Sequence, residues 1–192
     1  MGPSTLVTGL CMGLALAATC GLRAFLPLFV VSVLSHFGHI ELSEGFEWMS
    51  SRLAVVGLGV AVLLEVLADK IPVVDHVLDT VAVVVKPVAA MIAAASVMTE
   101  LDPMLSTVVG LVLGGTMAQG VHLVKAKLRL LSSALTATVA NPFLSIIEDL
   151  LALVATIMAF LLPVLLFCAA VGVSTWGLRT WVKRRNRTVD VE

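Results

Sequence analysis

Apolar residues fall in long runs separated by brief polar breaks. The runs cover about residues 5–19, 22–38, 52–68, 81–99, 104–119 and 143–178, and a more polar seventh stretch covers 121–140. None sustains the alternation of a half-buried strand. Leu, Ala, Val and Met dominate, so the pattern predicts helices throughout. A helix needs about 20 residues to cross the hydrocarbon core, and residues 5–19 rise only ~22 Å. Only Cys20-Gly21 separates them from 22–38. That predicts either two short tilted spans with a tight turn or one bent helix pair entering from one side.

Polar connections are few. Residues 39–51 carry Glu41, Glu44 and Glu47 at intervals of three, with Phe46 and Trp48. This reads as an acidic amphipathic turn of helix at an interface, anchored by Trp48. Asp102-Pro103 reads as a tight turn. No linker divides the chain, so the organisation expected is one transmembrane domain, 1–182, and a basic tail, 183–192. Pro27, Pro87 and Pro163 are expected to bend or break the helices that contain them.

Composition strengthens the membrane reading. The chain is 59% hydrophobic and 13% charged, with a mean hydropathy of +1.08. Soluble domains are usually about 45–50% apolar and about 25% charged, so lipid is the expected solvent for most of this surface. The net charge of −1 recruits no nucleic acid. Lys183, Arg184, Arg185 and Arg187 crowd the tail, which is therefore expected in the cytoplasm. Residues 5–19 have no basic flank, and Ala17-Ala18-Thr19-Cys20 is a poor lipoprotein cleavage box, so the segment is expected to be retained. Cys11, Cys20 and Cys168 lie in apolar stretches without metal or disulfide spacing and read as packing thiols.

The second half echoes the first. Pro72 is followed by Asp75 and Asp79, and Pro142 by Ser145 and Asp149 with Glu148 beside it. Both are helix starts with acids in the first turns, which complement the helix dipole. One reading is coincidence. The other is a degenerate internal repeat with halves 22–99 and 104–178, as found in transporter folds.

Charges at membrane depth are costly, and a chain keeps them for a partner, a water-filled cavity or a solute. Asp69, Lys70, Asp75 and Asp79 lie close together. Glu65 and Asp69 share a helix face, as do Asp75 and Asp79, and such like charges repel unless a cation, a proton or a base intervenes. Lys70, Lys86 and Arg23 are the available bases, and the acids outnumber them. Lys86, beside Pro87, is placed to reach Asp75 or Asp79. His76 next to Asp75 resembles metal-ligand chemistry only loosely, because one helix face cannot present all three side chains. The metal question therefore stays open. His122, Lys125 and Arg129 share a face, either as an interfacial helix gripping lipid phosphates or as positive flanking charge. Gly110, Gly114, Gly115, Gly57 and Gly59, with Ser132, Ser133, Thr136 and Thr138, suit close helix packing in a membrane. No catalytic motif is present, so no enzyme activity and no cofactor is expected.

Three stretches together resemble a known family. They are Gly21-Leu22-Arg23-Ala24-Phe25-Leu26-Pro27, then Asp69 through Asp79 with Lys70, Pro72, Asp75 and His76, and finally Asn141-Pro142 with Ser145 and Glu148-Asp149. The chain resembles domain-of-unknown-function family 4126, small bacterial polytopic membrane proteins, over about residues 10–165. The long basic tail departs from that pattern. The resemblance implies a multi-pass inner-membrane protein and no established activity.

The sequence thus predicts an all-α, polytopic integral membrane bundle of about six spans, with helices broken at Gly21, Pro72 and Asn141-Pro142 and a re-entrant element in the second half. The leading functional expectation is a permease or channel-like protein. Arg23, Asp69, Lys70, Asp75, Asp79, Lys86, Glu148 and Asp149 would line its site for a proton, cation or small solute. One alternative is a membrane scaffold or assembly factor with structural ion pairs. Another is a lipid-phosphate carrier using Arg23 and the His122, Lys125 and Arg129 face. The expected partners are the bilayer, an ion or solute, and a second copy of the chain.

Overall fold

The computed structural model describes the backbone of residues 3–69, 72–136 and 143–161 and the side chains of 5–69, 81–135 and 143–161. Among these residues every regular element is a helix. Helix α1 (Pro3–Cys20) ends at Gly21, as its sequence break requires. The turn is held by the Gly21 N–H donating to the Ala18 carbonyl at 3.0 Å and the Leu22 N–H to the Thr19 carbonyl at 3.0 Å. Helix α2 (Phe25–His36) then runs back. Pro27 does not break it. The ring sits in the first turn of α2, where its missing N–H would have had no helical partner.

The acidic turn of helix expected within 39–51 is a 3₁₀ turn, Glu47–Ser50, which carries Glu47 and Trp48. Gly38 and Gly45 adopt φ of +73° and +86°. That left-handed conformation suits a residue without Cβ and stops a helix from continuing through the segment. Helix α3 (Arg52–Ala68) opens on Ser51, whose hydroxyl accepts from the Ala54 N–H at 3.1 Å. Helix α4 (Pro72–Val97) begins on its proline, as expected, and contains Pro87.

Helix α5 (Pro103–Val109) is capped by Asp102, whose Oδ1 accepts from the Met104 N–H at 2.9 Å. It passes through a π-helical segment, Gly110–Gly114, into α6 (Gly115–Thr136). The separate segments expected at 104–119 and 121–140 are therefore one helix, which stays apolar enough to cross a membrane over Pro103–Leu135. Gly120 is accommodated inside it, with open space beside its Cα. Helix α7 (Phe143–Leu161) is also long and apolar enough to cross. Shorter apolar helices cover Thr5–Cys20, Phe25–His36 and Val81–Val97. The break at Asn141-Pro142, Pro163, Cys168, Thr138 and the basic tail lie outside the described residues, as does the repeat comparison at Asp79.

Small residues build the core. Leu16, Ala17 and Cys20 of α1 meet Ala90, Ala93 and Ala94 of α4, and Ala118 of α6 closes the group. Glycine lets the backbones touch. A Cβ on Gly13 would stand 2.9 Å from the Ala94 carbonyl oxygen, and one on Gly110 would stand 2.8 Å from that of Met91. Gly114 is wedged against Ala17 and Ala90. Gly59 meets Phe29, whereas Gly57 faces open space and packs nothing, contrary to expectation. Cys11 is exposed and Cys20 buried, both as free thiols.

The topology collects helix ends at one level. α1 ends there, α2 starts there, α3 ends there and α7 starts there. The opposite ends meet where the Ser43 N–H donates to the Ser96 carbonyl at 2.8 Å. At 1.5 Å per residue α1, α3 and α7 each span roughly 25–29 Å between the two levels.

The closest backbone approach lies at the α1–α2 break. A Cβ on Gly21 would stand 2.5 Å from the Ala118 carbonyl oxygen and 2.6 Å from Val121 Cβ. Gly21→Ala is expected to cost about 1–3 kcal/mol through overpacking, read as a lower melting temperature in detergent. Gly57→Ala, in open space, should leave that temperature unchanged.

Candidate functional site

Arg23 stands in the turn between α1 and α2 and is 1% exposed. Its guanidinium pairs with Asp69 at the end of α3 and with Asp149 on α7. It also donates to Ser145 Oγ at 3.1 Å and to the Glu65 carbonyl at 3.4 Å. A single side chain thus ties the α1–α2 break to α3 and to the first turns of α7. Arg suits this position because its planar fork presents five donors and keeps its charge when buried.

Glu65 serves the same turn from the other side. Ala24, before α2, offers no side-chain cap. Glu65 Oε1 accepts from the Ala24 N–H at 2.7 Å, and Oε2 accepts from the Phe25 N–H at 3.1 Å. A carboxylate on α3 therefore satisfies the free donors at the α2 N-terminus, where the helix dipole also favours negative charge.

The basic face of α6 completes the cluster. Arg129 Nη2 lies 2.9 Å from Asp69 Oδ2 and 2.8 Å from Glu148 Oε2. Lys125 Nζ lies 3.0 Å from Glu148 Oε2 and 3.8 Å from Asp69 Oδ2, and donates to the Leu22 carbonyl at 3.2 Å. His122, Lys125 and Arg129 are all buried. They are neither flanking charge nor a face turned towards lipid headgroups, because the acids of α3 and α7 draw the stripe inward. Lys86 Nζ lies 2.8 Å from His122 Nδ1, linking α4 to α6. Higher up, Thr156 on α7 donates to Thr19 on α1 at 3.4 Å.

Arg23, Asp69, Lys86, Glu148 and Asp149 thus converge as the sequence predicted. Lys70, Asp75, Asp79 and His76 lie outside the described residues. The expected excess of acid is not found among the described groups: Glu65, Asp69, Glu148 and Asp149 face Arg23, Lys86, Lys125 and Arg129. Buried charges persist where each has an opposite partner. Glu65 and Ser145 were the participants that sequence reasoning left out of the site. Their signal was spacing, Glu65 one turn before Asp69 and Ser145 one turn before Glu148 and Asp149. Among the described residues no three His, Cys, Asp or Glu side chains gather to hold a metal.

Two cavities flank the cluster, and Lys125 lines both. One, of about 430 Å³, lies between α3 and α4. Its floor carries Glu65, Asp69, Lys86 and Lys125, and its walls are Ala61, Leu64, Ala68, Val81, Ala82 and Val85. The other, also about 430 Å³, lies between α6 and α7 and is apolar except for Lys125 and Glu148. α3, which forms one wall, buries no residue along its length, whereas α4 opposite it buries Lys86 and Ala90.

Removing one member of a buried pair strands the other. Arg129→Gln is expected to cost about 3–5 kcal/mol, measured by denaturation in detergent. Arg129→Gln with Glu148→Gln should recover part of that loss, the coupling that a double-mutant cycle detects.

No curated protein and no solved structure matches the chain. One family model does, and it takes in the α1–α2 break, Asp69, the basic face of α6 and the α7 acids together. It also reaches into the basic region beyond α7, farther than the motifs alone suggested. The chain belongs to the family described as a domain of unknown function, DUF4126, whose model matches residues 10–183.

Proposed function

We propose that the chain is a polytopic membrane transport protein and that the buried charge cluster with its adjoining cavity is the solute site. The observation that carries this reading is the junction of the two. Asp69 and Lys125 belong to the paired network and also line the half-open cavity between α3 and α4. A charge network touching an accessible cavity can exchange partners with a solute, whereas a sealed one only holds helices together.

In this reading the crossing-length helices Pro103–Leu135 and Phe143–Leu161 and the shorter apolar helices form a bundle of about six spans in the plasma membrane. The separation of the two levels, close to the hydrocarbon thickness of about 30 Å, puts the cluster near one membrane surface. Lys125, Lys127 and Arg129 lie towards that surface. Glu41, Glu44, Glu47, Glu100 and Asp102 lie towards the other. Asp69, Glu148 and Asp149 would exchange protons or cations with the solute, and Arg23 would hold the three helices in register while they do so.

The balance of four acids and four bases favours a second reading, a membrane scaffold whose ion pairs only join helices. Vesicles reconstituted with the protein separate the two. Proton, potassium and fluorescent-phospholipid movement are each followed against protein-free vesicles. Transport predicts that at least one probe moves faster, and that Asp149→Asn returns it to the protein-free rate with the melting temperature retained. Movement of none of the three, together with a large loss of stability in Asp149→Asn, establishes the scaffold instead.

A further inference from the structure

We infer that the cavity between α3 and α4 takes a zwitterionic phospholipid from the side, its headgroup on the charged floor and one acyl chain between the two helices. This rests on the transport reading and names the class of its solute. Three observations combine. The walls are apolar: Ala61 and Leu64 come from α3, and Val81 and Ala82 from α4. Leu64 and Val81 are also exposed on the outer surface, at 61% and 49%, so the cavity opens sideways to lipid rather than upward to water. The two acids lie at the end of α3, and Lys86, near the middle of α4, lines the same cavity.

The floor fixes the headgroup chemistry. Lys86 and Lys125 supply ammonium donors suited to a phosphate, and Glu65 and Asp69 supply carboxylates suited to a primary amine. A headgroup of net charge would add an uncompensated charge to a balanced site. A zwitterion adds none. The volume of about 430 Å³ falls within the range of ligand pockets, about 300–1,000 Å³. By contrast, the cavity between α6 and α7 is lined by only one base and one acid, Lys125 and Glu148.

The test uses the full chain in nanodiscs and a fluorescent phosphatidylethanolamine. Ala82→Phe fills the proposed cavity without touching a charge, and Gly120→Phe fills the other one. Saturable binding is expected for the wild type and for Gly120→Phe. Ala82→Phe removes the space for the chain, so its binding should no longer saturate over the lipid range that saturates the wild type. Ala61→Phe, on the facing helix, should do the same if Ala82→Phe fails to fold. A photoreactive acyl chain on the same lipid should label Leu64 or Val81 in the unmodified protein.

Equal binding by a folded cavity-filling variant overturns the inference, as does labelling confined to other helices. Competition by glycerophosphoethanolamine as strong as by the whole lipid also overturns it, because the chain then contributes nothing. In those cases movement of protons or potassium would leave the transport reading standing. Lipid bound at this site with no probe moved would instead remove transport and keep the site.

Discussion

Everything at the charged end of this molecule depends on one buried guanidinium. Arg23 occupies a turn whose backbone bonds run only back to α1, its own N–H donating to the Thr19 carbonyl at 3.1 Å, so nothing in the turn's backbone fixes where α3 and α7 must lie. Its partners Asp69, Asp149 and Ser145 come from α3 and α7. An isolated buried cation would be expelled or solvated. A cation shared among acids on separate helices instead fixes where those helices must meet. The charges therefore specify the arrangement as much as they stabilise it.

The molecule has two differently held halves. α1, α4 and α6 are locked by glycine and alanine at near backbone contact, where even one methyl group does not fit. α3 packs against α2, yet buries no residue, and is tethered through Glu65 and Asp69. One half is thus rigid by shape and the other is positioned by ion pairs and a helix cap.

Much of this was legible in the sequence. The apolar runs marked the helices, Gly21 and Pro72 marked two of their boundaries, and the cost of burying charge singled out Arg23, Asp69, Lys86, Glu148 and Asp149. Two kinds of information were missing. Helix direction in three dimensions decides whether a basic stripe faces lipid, water or protein, so His122, Lys125 and Arg129 could be placed on one face but not turned inward. Local acid counts also mislead when the compensating bases are more than a hundred residues distant, as Arg23 is from Asp149, or about sixty, as Arg129 is from Asp69. In the loop at 39–51 the expected helical turn is confined to Glu47–Ser50, because Gly38 and Gly45 hold left-handed conformations on its N-terminal side.

The π-helical segment Gly110–Gly114 bears on the phase of the long helix. A π turn accommodates an extra residue that an α-helix would not, and each α-helical residue rotates the chain by about 100°. The segment takes up that residue within its own wider turn, so His122, Lys125 and Arg129 beyond it keep the face they would have in a regular helix one residue shorter. Loss of a single residue there would close the turn to a regular helix and leave the basic stripe facing Asp69 and Glu148, whereas the same loss between Gly115 and His122 would swing the stripe by about 100°. For this chain, an indel of one residue is a change of length inside the glycine-rich turn and a rotation of the charge cluster anywhere between that turn and the charges.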